Sequence, residues 1–126
     1  MYRVYDNEKK KWVTEGIYLS PNDELSTSKK ALFGAEKLSL VSEERYTYHR
    51  DIGLEDGNGN LIFEGDICKA TFHNIMGVVA YVPEHASYYL LDDVNLKYYP
   101  LGEDYCKNIE IIGNVFDNRE FLHLAD

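Results

Sequence analysis

The stretch Gly53-Leu54-Glu55-Asp56-Gly57-Asn58-Gly59-Asn60-Leu61-Ile62-Phe63-Glu64-Gly65-Asp66-Ile67 decides the fold. It holds a strand end, a turn, an apolar run and a second turn at Glu64-Gly65-Asp66. Glycine and asparagine tolerate positive φ, so Asp56 to Asn60 reads as a hairpin turn, and Leu61-Ile62-Phe63 must then be buried. This is architecture; no reacting group is visible in it.

Upstream, Tyr46 to Ile52 is a β-prone run that feeds the turn. Downstream, short strands follow over Ile67 to Phe72, Val78 to Val82 and Ser87 to Leu91, and Pro83-Glu84-His85 ends the second of them. Leu96 to Leu101 is a further apolar segment, which Pro100 restricts to an edge or a loop. Ile109 to Phe116 is the last strand, with Gly113 a bulge or a point of close backbone approach. Asp117-Asn118-Arg119 then turns or caps the short tail Phe121 to Leu124. Brief polar links between such strands predict a meander that curls on itself, as in small SH3-like barrels. At the start of the chain, Tyr2 to Tyr5 and Trp12-Val13 read as strands around the polar tip Asp6 to Lys11, with Ile17-Tyr18-Leu19 continuing and Ser20 to Asp23 a turn. Glu24 to Glu44 has two readings. One is a helix over Lys29 to Leu38 capped by Ser26-Thr27-Ser28, which Gly34 weakens; the other is an irregular connection leading to a strand at Leu38 to Val41.

A length of 126 residues matches one domain, 1–126, with 44% hydrophobic and 28% charged residues. Eleven tyrosines lean the class towards β, because the ring suits a half-buried pleated surface. The net charge of −9 repels phosphate backbones and anionic lipid, so direct nucleic-acid binding is not expected. The basic clusters Lys9-Lys10-Lys11 and Lys29-Lys30 read as solvated tips. Cys68 and Cys106 lie far apart, outside any Cys-x-x-Cys pair, and read as small buried hydrophobes of a reducing cytosol. Met1 leads into a polar stretch, and no run approaches a membrane span, so a cytoplasmic location is expected.

Three segments together carry a family resemblance. They are the decisive stretch from Gly53 to Ile67, the run Ile109-Glu110-Ile111-Ile112-Gly113-Asn114-Val115-Phe116-x-Asn118, and the opening Arg3-x-Tyr5-Asp6. The chain resembles the YopX family of phage and prophage proteins over nearly its whole length. Tyr5 departs from that family, whose start is more usually Arg-x-Trp-Asp. The resemblance implies a mostly β pseudobarrel from a bacteriophage or an integrated element, with no established activity and no catalytic or binding residues to carry over.

Asp56, Asn58 and Asn60 place oxygens at alternate positions, as the first half of a calcium loop does. Leu61 and Ile67 then stand where that loop needs glycine and a bidentate glutamate, which leaves a hairpin turn. Glu64 and Asp66 could join Glu55 or Asp56 in a carboxylate cluster for a metal-dependent hydrolase. Against that, Asp66 reads as a turn former bonding backbone amides and Glu64 as facing water. His49, His73, His85 and His123 are dispersed, without ligand spacing. Cys68 and His73 would lie on opposite faces of an unbroken strand, so they do not read as a nucleophile and base. No catalytic, cofactor or metal residue is assigned, and no cofactor is expected.

Tyr81, Tyr88, Tyr89, Tyr98 and Tyr99 are concentrated in one portion of the chain, and adjacent pairs must point to opposite faces. Either the outer rings serve protein contacts or they cover the barrel's own open edges. The resulting expectation is a single mostly β domain with an elaborated amino-terminal region, a non-enzymatic accessory protein acting through protein contacts or self-association at an edge strand. Two alternatives stand beside it: an acidic inhibitor or DNA mimic of a host DNA-binding protein, and a metal-dependent hydrolase.

Overall fold

A computed structural model describes residues 1–14, 18–19, 25–26, 45–71 and 74–122. The chain divides into two compact units, Met1–His49 and Arg50–Asp126.

In the first unit β1 (Tyr2–Asp6) and β2 (Lys11–Val13) form an antiparallel hairpin, pairing Val4 with Val13 and Asp6 with Lys11. The lysines stand at its tip, as read from the sequence. Asp6 shapes that tip: its Oδ1 accepts from the Glu8 and Lys9 amides at 3.0 and 3.1 Å, and its carbonyl accepts from Lys10, which sits at φ +57°. The Arg45 guanidinium grips the same carboxylate with Nε at 3.3 Å and Nη2 at 3.1 Å. Tyr5 packs edge-on to Trp12 at 5.1 Å, and the Arg3 guanidinium lies 4.6 Å over the Trp12 ring. Short strands β3 (Tyr18–Leu19) and β4 (Leu25–Ser26) pair antiparallel. The helix or strand expected within Lys29 to Val41 falls outside the described residues, as do the turn at Ser20 to Asp23, His73 and His123.

Strand β5 (Tyr46–Glu55) begins in the first unit and ends in the second. There it pairs with β6 (Leu61–Phe63), with a register shift between Asp51 and Glu55 that Gly53 absorbs at φ +82°. A five-stranded antiparallel sheet follows, built from β7 (Asp66–Ala70), β8 (Met76–Val82), β9 (Ser87–Asp92), β10 (Lys97–Pro100) and β11 (Ile109–Asn114). Its order, β10-β9-β8-β7-β11, is the expected meander with the last strand returning beside the first, and the sheet curls into a half barrel. Pro100 does lie on an edge strand. Gly113 lies at the bulge expected of it, where the register shifts after Ile111, and what approaches it closely is the Asn118 side chain, which a Cβ there would meet.

One face of this sheet carries Cys68, Ala70, Val79, Leu90 and Ile109, all buried, with Ile62 from β6 and Cys106 packed among them. Each fully buried isoleucine or leucine here contributes about 1.5–3 kcal/mol. The β8–β9 link is a 3-10 turn over Pro83–His85 that ends in a left-handed Ala86. A four-residue helix α1 (Glu103–Cys106) joins β10 to β11 and turns Cys106 into the core; the sequence reading did not foresee it. Among the described residues no helix is long and apolar enough to cross a membrane.

Candidate functional site

A sheet leaves its two outer strands with backbone groups to satisfy, and in this molecule each edge has a different solution. On the β11 side the solution is Asp56. Its Oδ1 accepts from the amides of Asn58 and Asn60, both at 2.9 Å, which closes the glycine-rich turn on itself. Its Oδ2 accepts from the Ile111 amide at 3.0 Å, and the neighbouring Gly57 amide donates to the Ile109 carbonyl at 2.9 Å. The turn thus stands in for a further strand along β11. Burial works against the Asp56 charge, but the amides of Ile111, Asn60 and Asn58 outweigh it and hold the carboxyl below its ordinary range. Gly57 is required by contact: a Cβ there would come within 2.7 Å of the Lys107 carbonyl oxygen. A cleft of about 730 Å³ opens beside the turn, walled by Gly53, Leu54, Gly59 and Leu61, with Glu103 and Lys107 as an ion pair at 3.7 Å.

The other suspected carboxylates are also engaged. Asp66, 2% exposed, accepts from the Phe63 amide at 2.8 Å and so shapes the turn before β7, as expected. Within that turn Gly65, at φ +81°, donates to the Val79 carbonyl and accepts from the Val115 amide. Glu64 differs from expectation: it is half-buried and accepts from the Tyr88 hydroxyl at 3.3 Å instead of only facing water. Asp92, which the sequence reading passed over, accepts from the amides of Val94 and Asn95 and from the Asn95 side chain at 2.8 Å. Among the described residues the buried charged side chains Asp6, Asp56, Asp66 and Asp92 therefore all hold turns. Among the described residues no three histidine, cysteine, aspartate or glutamate side chains converge as metal ligands. Cys68 and Cys106 are free and buried, and burial, with the Asp66 and Asp56 charges added, pushes the Cys68 thiol up.

Among the described residues no strand pairs with the outer side of β10. Tyr98 opposes Leu91 and Tyr99 opposes Leu90 across β9. The Leu101 amide donates to the Tyr88 carbonyl at 3.1 Å, which fixes the phase of the ladder. Opposed antiparallel residues alternate between bonded and non-bonded pairs, so the peptide groups of Tyr98 and Pro100 point away from β9. Tyr98 offers both an N–H and a C=O to the outside, whereas Pro100 offers a C=O only. The ring of Tyr98, 58% exposed, lies edge-on to Tyr89 at 5.4 Å, and His85 packs on both. His85 Nδ1 is 2.6 Å from the Tyr89 hydroxyl. Tyr88 takes the opposite face, against Tyr81 at 5.1 Å, as alternation requires. At the hairpin tip Val94 is 65% and Leu96 86% exposed, and Leu96 is held at φ +53°.

The family model described as YopX protein matches residues 1–123. The chain belongs to the YopX family. The activity of that family is uncharacterised. Two solved structures are similar in fold. Protein EF1440 from Enterococcus faecalis is 22% identical, with a TM-score of 0.56, over 97% of this chain and 96% of that one. Protein yopX from Bacillus subtilis is 16% identical, with a TM-score of 0.54, over 99% of this chain and 97% of that one. No curated protein matches the chain. At such identities these two structures speak to architecture alone.

Within this YopX chain, two features of the site escaped the sequence reading besides helix α1 and the bond from Asp56 to Ile111. Asp92 was signalled by Asn95 three residues on, the spacing of a side chain that closes its own turn. Val94 was passed over, and Leu96 was read only as the start of an apolar segment on an edge or a loop; the turn lifts both apolar side chains into solvent at its tip.

Proposed function

We propose that this YopX protein is a non-enzymatic accessory protein of a phage or integrated element, and that it works by protein contact through the β9–β10 hairpin. The observation that carries this reading is the exposed apolar and aromatic group Val94, Leu96 and Tyr98 at the hairpin tip and along β10, the outermost strand of the sheet among the described residues. Leu96 supports it further, since a non-glycine residue held in the left-handed region at a loop tip is a strain that functional surfaces retain. Aromatic rings already fixed by their neighbours, as Tyr98 is by Tyr89 and His85, lose little freedom on docking.

The hydrolase alternative loses Asp56 and Asp66, whose oxygens hold backbone amides. The mimic alternative loses the negative charge of the aspartates turned inward. The test is a photo-crosslinking residue placed at Leu96 in the producing bacterium, with the same residue at exposed Glu110 on β11 as control. Covalent protein adducts from position 96 and none from position 110 are expected; no adduct from position 96 would refute the reading.

A further inference from the structure

We infer that the occupant of the β10 edge is a second copy of this chain, the two β10 strands pairing antiparallel about a two-fold axis through Tyr98. The inference rests on the contact reading above and names its partner. In such a pair Tyr98 opposes Tyr98 of the second copy, and the N–H of each meets the C=O of the other. These are the two backbone groups that the ladder phase turns outward at this residue.

Pro100 then discriminates between occupants. A longer extended partner of unrelated sequence would need a donor at Pro100 and find none, so its ladder would break. In the two-fold register Pro100 lies opposite Leu96, which precedes β10 and already belongs to the turn. The proline therefore removes a rung that a foreign strand needs and the self-pair does not. Side chains agree with this arrangement. The two Tyr98 rings meet across the axis on the face already braced by Tyr89 and His85, while exposed Leu96 of each copy comes beside Pro100 of the other. Lys97 of one copy opposes Tyr99 of the other, so no like-charged pair faces across the axis. Each chain nevertheless carries a net charge of −9, which opposes association over longer range. The dimer is accordingly a weak one that salt strengthens by screening.

Sedimentation velocity of the full chain from about 10 to 300 μM, the range in which a micromolar contact fills, tests this at low and high salt. A dimer that grows with concentration and with salt is expected. Leu96→Asp should weaken it about ten-fold or more by placing a carboxylate in each of the two apolar contacts with Pro100 of the other copy, and Tyr98→Pro, which removes the outward N–H and no bond to β9, should abolish it. In oxidising buffer Tyr98→Cys should join two chains, since opposed bonded residues lie about 5.5 Å apart, within disulfide reach, and the native thiols are buried. A monomer throughout the range overturns the inference, as does a dimer unaffected by both Leu96→Asp and Tyr98→Pro, or a dimer that Tyr98→Cys fails to cross-link. A monomer whose position 96 still cross-links a different protein overturns the second copy and leaves the contact reading standing; a monomer without any adduct ends both.

Discussion

Replacing Asp56 by alanine removes the acceptor for the amides of Asn58, Asn60 and Ile111 at one stroke. Asn58 and Asn60 are exposed, so water can replace the carboxylate there and each loss costs about 0.5–1 kcal/mol. Ile111 lies half-buried in β11, where losing a charged acceptor costs about 1.5–3 kcal/mol. The total, about 2.5–5 kcal/mol, is a large share of the 5–15 kcal/mol typical of a domain and lowers the melting temperature by on the order of 10 °C. Asp56→Asn should recover little, because the amide nitrogen donates where one of the backbone N–H groups needs an acceptor. The carboxyl is held below its ordinary range in the folded state, so its stabilisation is complete above the unfolded value near pH 4 and is lost as pH falls through the folded value. The acid limb of the stability curve should therefore be shallower in the alanine variant. Urea unfolding at constant m is the assay, with exposed Asp93→Ala, expected within about 0.5 kcal/mol, as control. A loss in Asp56→Ala no larger than that control would refute the reasoning.

Other consequences are as direct. Gly77→Ala would drive a Cβ into the Leu91 carbonyl, a backbone group that cannot swing aside, and should cost about 2–3 kcal/mol in the same unfolding assay. Burial, and then the Arg3 charge, hold the His49 imidazole down at about 4. An unfolded histidine titrates near 6.5, so the unfolded chain binds more protons between the two values and stability falls as pH drops from about 6.5 towards 4. His49→Gln should flatten that slope, and proton NMR of the wild-type ring should show no titration above about pH 5. Burial pushes Cys106 up to about 11 and Cys68 higher, so a thiol reagent should find neither in the native protein and both in urea.

The local parts of this structure were legible in the sequence. Turns written with glycine and asparagine, the alternation that sends Tyr88 and Tyr89 to opposite faces, and the proline that confines β10 to an edge are properties of adjacent residues. What stayed hidden depends on chain brought from afar or on elements too short to show a period. The bond from Asp56 to Ile111 spans 55 positions and has no local signature. Helix α1 has four residues, barely one turn, with only Glu103 and Asp104 in its first turn as a sign. The open edge could be suspected from the clustered tyrosines, but the outward direction of the Tyr98 amide follows only once the β9–β10 register is known.

The turn carboxylates serve the backbone, which leaves contact to the opposite edge. Amide NMR tests that claim most directly. In an acid titration the Asn58, Asn60 and Ile111 amide protons should move together with one midpoint below the ordinary carboxylate range, and about 1 mM manganese, enough to occupy a weak carboxylate site, should leave the signals of Asp56 and Asp66 no broader than those of the exposed acids. Independent midpoints, or manganese broadening centred on Asp56 and Asp66, would contradict the account.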